Sequence, residues 1–191
     1  MGGGVITLKV DDAAIQDSLA VLGSQAPVAA SRAINRTLLS VVTAMARPVS
    51  QSLRLAVGEV KKRVITIQAT RTRLTGHIEA SNKPIPIILF GATGPEPSRG
   101  TGRGVTAKTQ TRRYPHAFIA TMRSGHRGVF QRVGKPRLKI RELREASVAA
   151  VWIKHEDIGQ ARGNEQLQKN LQHEVDFLLT KQATKAIRKG V

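Results

Sequence analysis

Leu74-Thr75-Gly76-His77-Ile78-Glu79-Ala80 is where the periodicity of this chain changes, and its reading decides the fold. Small or apolar side chains alternate there with polar ones, as a strand with one buried face requires. Upstream the period is helical. Ala30, Ile34, Leu38, Val41 and Met45 form one apolar stripe. Pro27 suits the first turn of that helix, and Pro48 is expected to end it. A shorter helix is expected over Val57, Val60 and Val64, with Lys61, Lys62 and Arg63 on its other face. Nearer the start, Val5 to Val10 alternates like a strand. Asp11 or Asp12 then caps a helix carrying Ile15, Leu19 and Leu22 and ended by Gly23.

Downstream, Asn82-Lys83-Pro84 turns the chain and Ile85 to Phe90 reads as a second strand, placed at an edge by Pro86. His116 to Met122 and Gly128 to Val133 read as two further strands, in which Phe118 and Phe130 alternate as core residues would. Arg123-Ser124-Gly125-His126-Arg127 joins them, with Gly125 at the permissive turn position. Leu138 and Ile140 begin another strand. The last element is a long helix with Leu167, Leu171, Val175, Leu178 and Ala186 on one face. Asn164 is its expected cap, and Lys185, Arg188 and Lys189 lie near its carbonyl end. Helices, then antiparallel strands, then a helix give an α+β fold. In it, N-terminal helices and a long C-terminal helix pack on a small antiparallel sheet. The length of 191 residues suits one domain, 1–191.

Residues 92–114 fit no period. Gly94, Gly100, Gly102 and Gly104 alternate with Pro95, Pro97, Ser and Thr, and Arg99, Arg103, Lys108, Arg112 and Arg113 add charge. A long basic Gly/Pro-rich loop is expected, and loops of that length are usually functional.

The formal net charge is +18, and its distribution is uneven. Residues 56–145 carry 19 basic and 5 acidic groups, whereas 1–55 carry 5 and 3 and 146–191 carry 7 and 5. Such a block faces water or a polyanion, because like charges repel. With no cysteine, disulfides, thiolate metal sites and a cysteine nucleophile are excluded. No basic-then-apolar secretory signal opens the chain, and no run approaches the roughly 18 apolar residues of a membrane span. The glycines after Met1 receive no function.

Catalytic constellations do not assemble. His77, His116, His126, His155 and His173 fall in different expected elements. His155-Glu156-Asp157 has no second histidine a helical turn away, so it reads as a solvated patch. Gly100-Thr101-Gly102-Arg103-Gly104 lacks the lysine and following helix of a phosphate cradle. The Ala-rich helix, with Ala29, Ala33 and Ala44, reads as core packing ahead of a contact between subunits.

Several strings, in this order, resemble the minor tail protein Z (tail completion) family of long-tailed phages. They are Ala33-Ile34-Asn35-Arg36; the apolar stretch from Pro84 to Gly91; and Tyr114-Pro115-His116-Ala117-Phe118-Ile119. After the glycine turn the last continues into Val129-Phe130-Gln131-Arg132-Val133 and Arg137-Leu138-Lys139-Ile140. The resemblance implies a structural virion protein at the head-proximal end of the tail, assembled in the host cytoplasm. There it would act as a homo-oligomer, a hexameric ring. Its implied partners are the tail terminator and tail tube proteins, the head-completion or connector proteins, and the genome DNA end. It implies no catalytic residue, no metal and no cofactor.

The basic loop residues Arg99, Arg103, Lys108, Arg112 and Arg113 are candidates for contact with DNA or with acidic tail subunits, and both readings stay open. The hairpin residues Arg123, Gly125, His126 and Arg127 are candidates for a subunit contact. The alternative function is a free basic nucleic-acid-binding protein without sequence preference, held by counterion release.

Overall fold

The computed structural model describes residues 5–9, 22–96, 104–107, 113–134 and 139–189. The helix expected after Asp11 falls on residues outside the described set, as does Leu138.

A 3-10 turn, Gly23–Gln25, leads into α1, Ala26–Leu53. Pro27 sits in its first turn as expected, but Pro48 lies inside the helix and does not end it. An interior proline costs roughly 3 kcal/mol in lost hydrogen bonding and ring clash. The buried stripe nevertheless runs on through Met45, Val49 and Leu53. Each buried aliphatic side chain gains about 1.5–3 kcal/mol, so two beyond the proline outweigh the break. The helix ends at Arg54, which takes a left-handed φ of 53°. That turn lets the N–H of Arg54 reach the carbonyl of Gln51, and the N–H of Leu55 that of Ser50.

Helix α2, Val57–Lys61, is shorter than its apolar spacing predicts. Val64 opens strand β2, Val64–Ile67, instead. Four β-branched residues in a row favour the extended backbone over a helix. Strand β3, Thr75–Ala80, lies between β1, Val5–Lys9, and β2, antiparallel to both. Gly76, Ile78 and Ala80 are buried toward α1, while His77 and Glu79 lie on the opposite face. A Cβ at Gly76 would stand 2.7 Å from Leu38 Cδ1, so glycine lets α1 seat directly on the sheet.

The expected single sheet is several small antiparallel ones. Strands β7, Ala117–Thr121, β8, Arg127–Arg132, and β9, Ile140–Glu142, form a second three-stranded sheet. Of the strand expected over 85–90, only β4, Ile85–Pro86, is extended, and it pairs with β10, Arg144–Glu145. Ile87–Phe90 is a 3-10 turn, which buries Ile87 and Phe90, three residues apart, together. Strands β5, Val105–Thr106, and β6, Arg113–Tyr114, form the remaining pair.

Ser147 caps a short helix, α3, Val148–Trp152, that has no counterpart in the sequence reading. Its hydroxyl accepts the N–H of Ala150, and the fully buried Trp152 joins the main core. After a 3-10 turn comes α4, Glu156–Lys189. Asn164 is therefore an interior residue, not the cap. Glu156 and Asp157 occupy the first turn, where carboxylates complement the exposed N–H groups.

Helices α1 and α4 run antiparallel in the most extensive helix contact of the described residues. Ala29 packs with Val175 and Leu178, and Ala30 and Ala33 pack with Leu171. The alanine face is thus core at these positions, while Ala44 is half-buried. At the other end Gly159 allows a close crossing: a Cβ there would stand 2.5 Å from Met45 Sδ and 2.6 Å from Ile6 Cδ1. The side chain of Ala186 lies outside the described set.

Candidate functional site

The β7–β8 hairpin turns as its glycine dictates. Met122 and His126 close it through an N–H to carbonyl bond of 2.8 Å, and Gly125 takes φ of +83°. Nothing lies within 4 Å of a Cβ built on Gly125, so backbone conformation alone selects glycine. Two of the candidate contact residues are engaged internally. His126 Nε2 lies 2.7 Å from Glu142 Oε1, and Arg127 Nη2 lies 3.0 Å from Glu96 Oε1. Arg123 stands exposed within the turn. Glu142 also accepts Nε and Nη2 of Arg144 on its other oxygen, at 3.0 and 2.7 Å. Burial raises the pKa of Glu142, but the bonds from His126 and Arg144 outweigh it and hold the carboxyl below its ordinary value.

Phe118 and Phe130 are cross-strand partners on the face of this sheet turned away from the main core, which takes Ala117, Ile119 and Val129. The core reading therefore holds in part: Phe130 is buried, though outside the main cluster, and Phe118 is half-buried, because alternation alone does not say which set faces the main core. The two rings stand 6.3 Å apart, and Arg132 lies 6.0 Å over Phe118.

Part of the expected 92–114 loop is built into the sheet structure. Thr93 and Thr106 exchange two backbone hydrogen bonds of 2.8 Å, and Val105 and Ala107 are buried. Gly94 makes this possible, since a Cβ there would stand 2.7 Å from Val105 Cγ2. Tyr114 packs against the core and bonds Glu145, so its ring offers no open platform. Arg113 is exposed on β6. Arg99, Arg103, Lys108 and Arg112 lie outside the described residues.

The Ala33-Ile34-Asn35-Arg36 string acquires a structural meaning. Asn35 bonds both backbone groups of Ala69. Arg36 Nη1 lies 3.1 Å from Oε1 of Glu174 on α4 and 3.1 Å from His173 Nδ1. Glu174 is 2% exposed, and its Oε2 has no hydrogen-bond partner, with Arg32 Nη1 at 3.7 Å. Nearby, Asn170 donates to Thr37 and Arg162 donates to Ser40, so polar pins line the α1–α4 seam.

A cleft of about 510 Å³ opens between the α2–β2 junction, the β3–β4 turn and β10. Lys62, Arg63, Lys83 and Arg144 line it, with Glu59 as the one carboxylate. Glu59 binds Lys62 Nζ and Arg63 Nη1, each at 2.7 Å. Those two bonds, that from Lys62 first, hold its carboxyl below the usual range. Sequence reading placed Lys61 to Arg63 on a helix face and did not join them to Lys83 or Arg144, which are distant in the chain.

The histidines are dispersed, as expected. His77 faces Glu79 at 3.3 Å, and His155 Nε2 lies 3.0 Å from Ser52 Oγ in an exposed contact at the end of α1. No group of three metal-ligating side chains forms among the described residues. The profile of the prophage minor tail protein Z family (GPZ) matches residues 8–185. The chain belongs to the prophage minor tail protein Z family. Membership makes it a structural protein of the phage tail, a virion component that interacts with other tail and head proteins. The match covers every string that carries the minor tail protein Z resemblance, from Ala33 to Ile140. No curated protein and no solved structure matches the chain. No helix among the described residues is long and apolar enough to cross a membrane.

Proposed function

We propose that this minor tail protein Z member completes the tail at its head-proximal end, as a closed homo-oligomeric ring and without catalysis. The observation that carries the reading is the family match over nearly the whole chain. A tube imposes its rotational symmetry on whatever caps it, so a six-fold ring follows for a six-fold tube. The ring meets the tail terminator and tail tube on one side and the head-completion or connector proteins on the other. The genome end lies in its axis. One folded unit of residues 1–191 supplies all these contacts.

Within that assembly the hairpin residues Arg123, Gly125, His126 and Arg127 face a neighbouring subunit. Arg123 lies in the turn and is exposed. Arg99, Arg103, Lys108, Arg112 and Arg113 reach either the DNA path or an acidic face of the tail. Electron microscopy of assembled particles tests the placement. A ring at the head–tail junction is the expected result, and density elsewhere in the tail, or a single copy, overturns it. The free nucleic-acid binder makes a separate prediction: at high salt it leaves the particle fraction of a density gradient, whereas a tail component stays.

A further inference from the structure

We propose that the cleft between the α2–β2 junction, the β3–β4 turn and β10 binds the phosphodiester backbone of nucleic acid without reading its sequence. The inference concerns the isolated protein and does not depend on where in the tail the protein sits. Three segments separated in sequence bring Lys62, Arg63, Lys83 and Arg144 to one cavity, with Glu59 in its lining and Glu142 behind Arg144. Four cations, with the carboxylates of Glu59 and Glu142 bonded to them, leave a local charge of +2 in a concave site, where field lines concentrate.

Two of those cations are fixed from behind. Arg63 donates through Nη1 to both the backbone carbonyl and the carboxylate of Glu59, each at 2.7 Å. Arg144 spends Nε and Nη2 on Glu142. A guanidinium carries five N–H donors, so each keeps donors for a ligand while its rotamer is already set. Lys83 adds an exposed ammonium group, and Lys62, whose Nζ bonds Glu59 at 2.7 Å, keeps 72% of its side chain open to solvent and two N–H donors for a ligand.

The geometry favours phosphate over an acidic side chain. Glu142 takes the Nε–Nη2 edge of Arg144 through one oxygen and leaves Nη1 to a ligand, and Arg63 keeps its Nε and Nη2 donors. These donors and the lysine charges come from three separate segments spread along the cleft, which suits the spaced oxygens of successive phosphates better than one compact carboxylate. The apolar part of the lining is Ile65, Pro84 and Pro86. With no aromatic ring there is no stacking platform, so bases are not read and only the backbone is held.

The test uses the full chain and a short labelled duplex of random sequence, with fluorescence anisotropy followed through a salt titration. The Lys62→Gln/Lys83→Gln variant removes two exposed charges from the cleft. The Lys181→Gln/Lys185→Gln variant removes the same charge from exposed positions on α4. Thermal melting confirms that both fold. The cleft variant is expected to flatten the slope of log affinity against log salt by about two, one per lost phosphate contact, and the α4 variant to leave it unchanged. Equal flattening in both variants shows attraction by net charge alone and overturns the proposal. So does competition by poly-glutamate as strong, charge for charge, as that by unlabelled duplex.

Discussion

The carboxamide of Asn35 on α1 holds both backbone groups of Ala69, donating from Nδ2 to the carbonyl at 3.0 Å and accepting the N–H on Oδ1 at 2.8 Å. Ala69 lies just past the end of β2 and is 5% exposed, so water cannot easily replace the side chain. Asn35 thus acts as one more rung of sheet, supplied by a helix.

Replacing Asn35 with Ala leaves a buried N–H and a buried carbonyl without partners. Each orphaned group costs about 1–3 kcal/mol, so the variant should lose at least about 2 kcal/mol. Asn35→Asp keeps an acceptor for the N–H and loses the donor. Urea midpoints should fall for both, and a midpoint equal to wild type in Asn35→Ala would rule out the clamp.

Gly159→Val puts three methyl-sized carbons where Met45 Sδ and Ile6 Cδ1 already sit. Valine recovers a few tenths of a kcal/mol in helix propensity, while overpacking a core costs about 1–3 kcal/mol. The net effect is a loss of stability, and Met45→Ala in the same chain should recover part of it. Additive losses in the double variant would contradict direct contact.

Acid should weaken the fold through Glu59 and Glu142. Both carboxyls titrate below the ordinary value of 4.5 in the folded state, Glu59 through its bonds to Lys62 and Arg63, and Glu142 because His126 and Arg144 outweigh burial. A depressed carboxyl stabilises the fold fully above its unfolded pKa and loses that contribution as pH falls through the folded value. Wild type should therefore melt higher than Glu59→Gln at neutral pH, and the gap should close well below pH 4.5. A constant gap down to strong acid would exclude this linkage.

Much of this was legible in the sequence and part was not, for reasons that differ by residue. The α1 stripe, β3 and the β7–β8 hairpin declare themselves because their periods are local and their partners adjacent. Pro48 misleads because packing of Val49 and Leu53 overrides the local cost. Strands β4 and β10 hold two residues each and pair Ile85 with Glu145, a match that no window of sequence contains. Asn35 stands within a family string, but its role depends on Ala69, 34 residues away. The cationic cleft is of the same kind, assembled from three segments that share no motif.

Under the proposed function, replacing Arg99, Arg103, Lys108, Arg112 and Arg113 with Gln should leave the melting temperature nearly unchanged, since surface charges contribute little to stability. If they meet the genome, tails still form with the protein in place, and DNA retention at the head–tail junction fails. Should they meet acidic tail subunits, the protein is missing from the tails and its DNA affinity is unchanged. Incorporation and DNA binding measured on the same variant separate the two, and a fully active variant eliminates both.

Helix α4 is supported along only part of its length. Leu178 is its last buried residue among those whose side chains are described, and positions 179–185 are exposed on every side, with Ile187 beyond them at 78%. A helical segment of that length without a packed face is marginal in water. Deuterium uptake therefore divides the helix in two. Amides up to Leu178 exchange only when α4 leaves α1, on the slow clock of the core, whereas those beyond it exchange by fraying, orders of magnitude faster. A single continuous helix thereby carries two lifetimes, and whatever binds its outer turns sets the second.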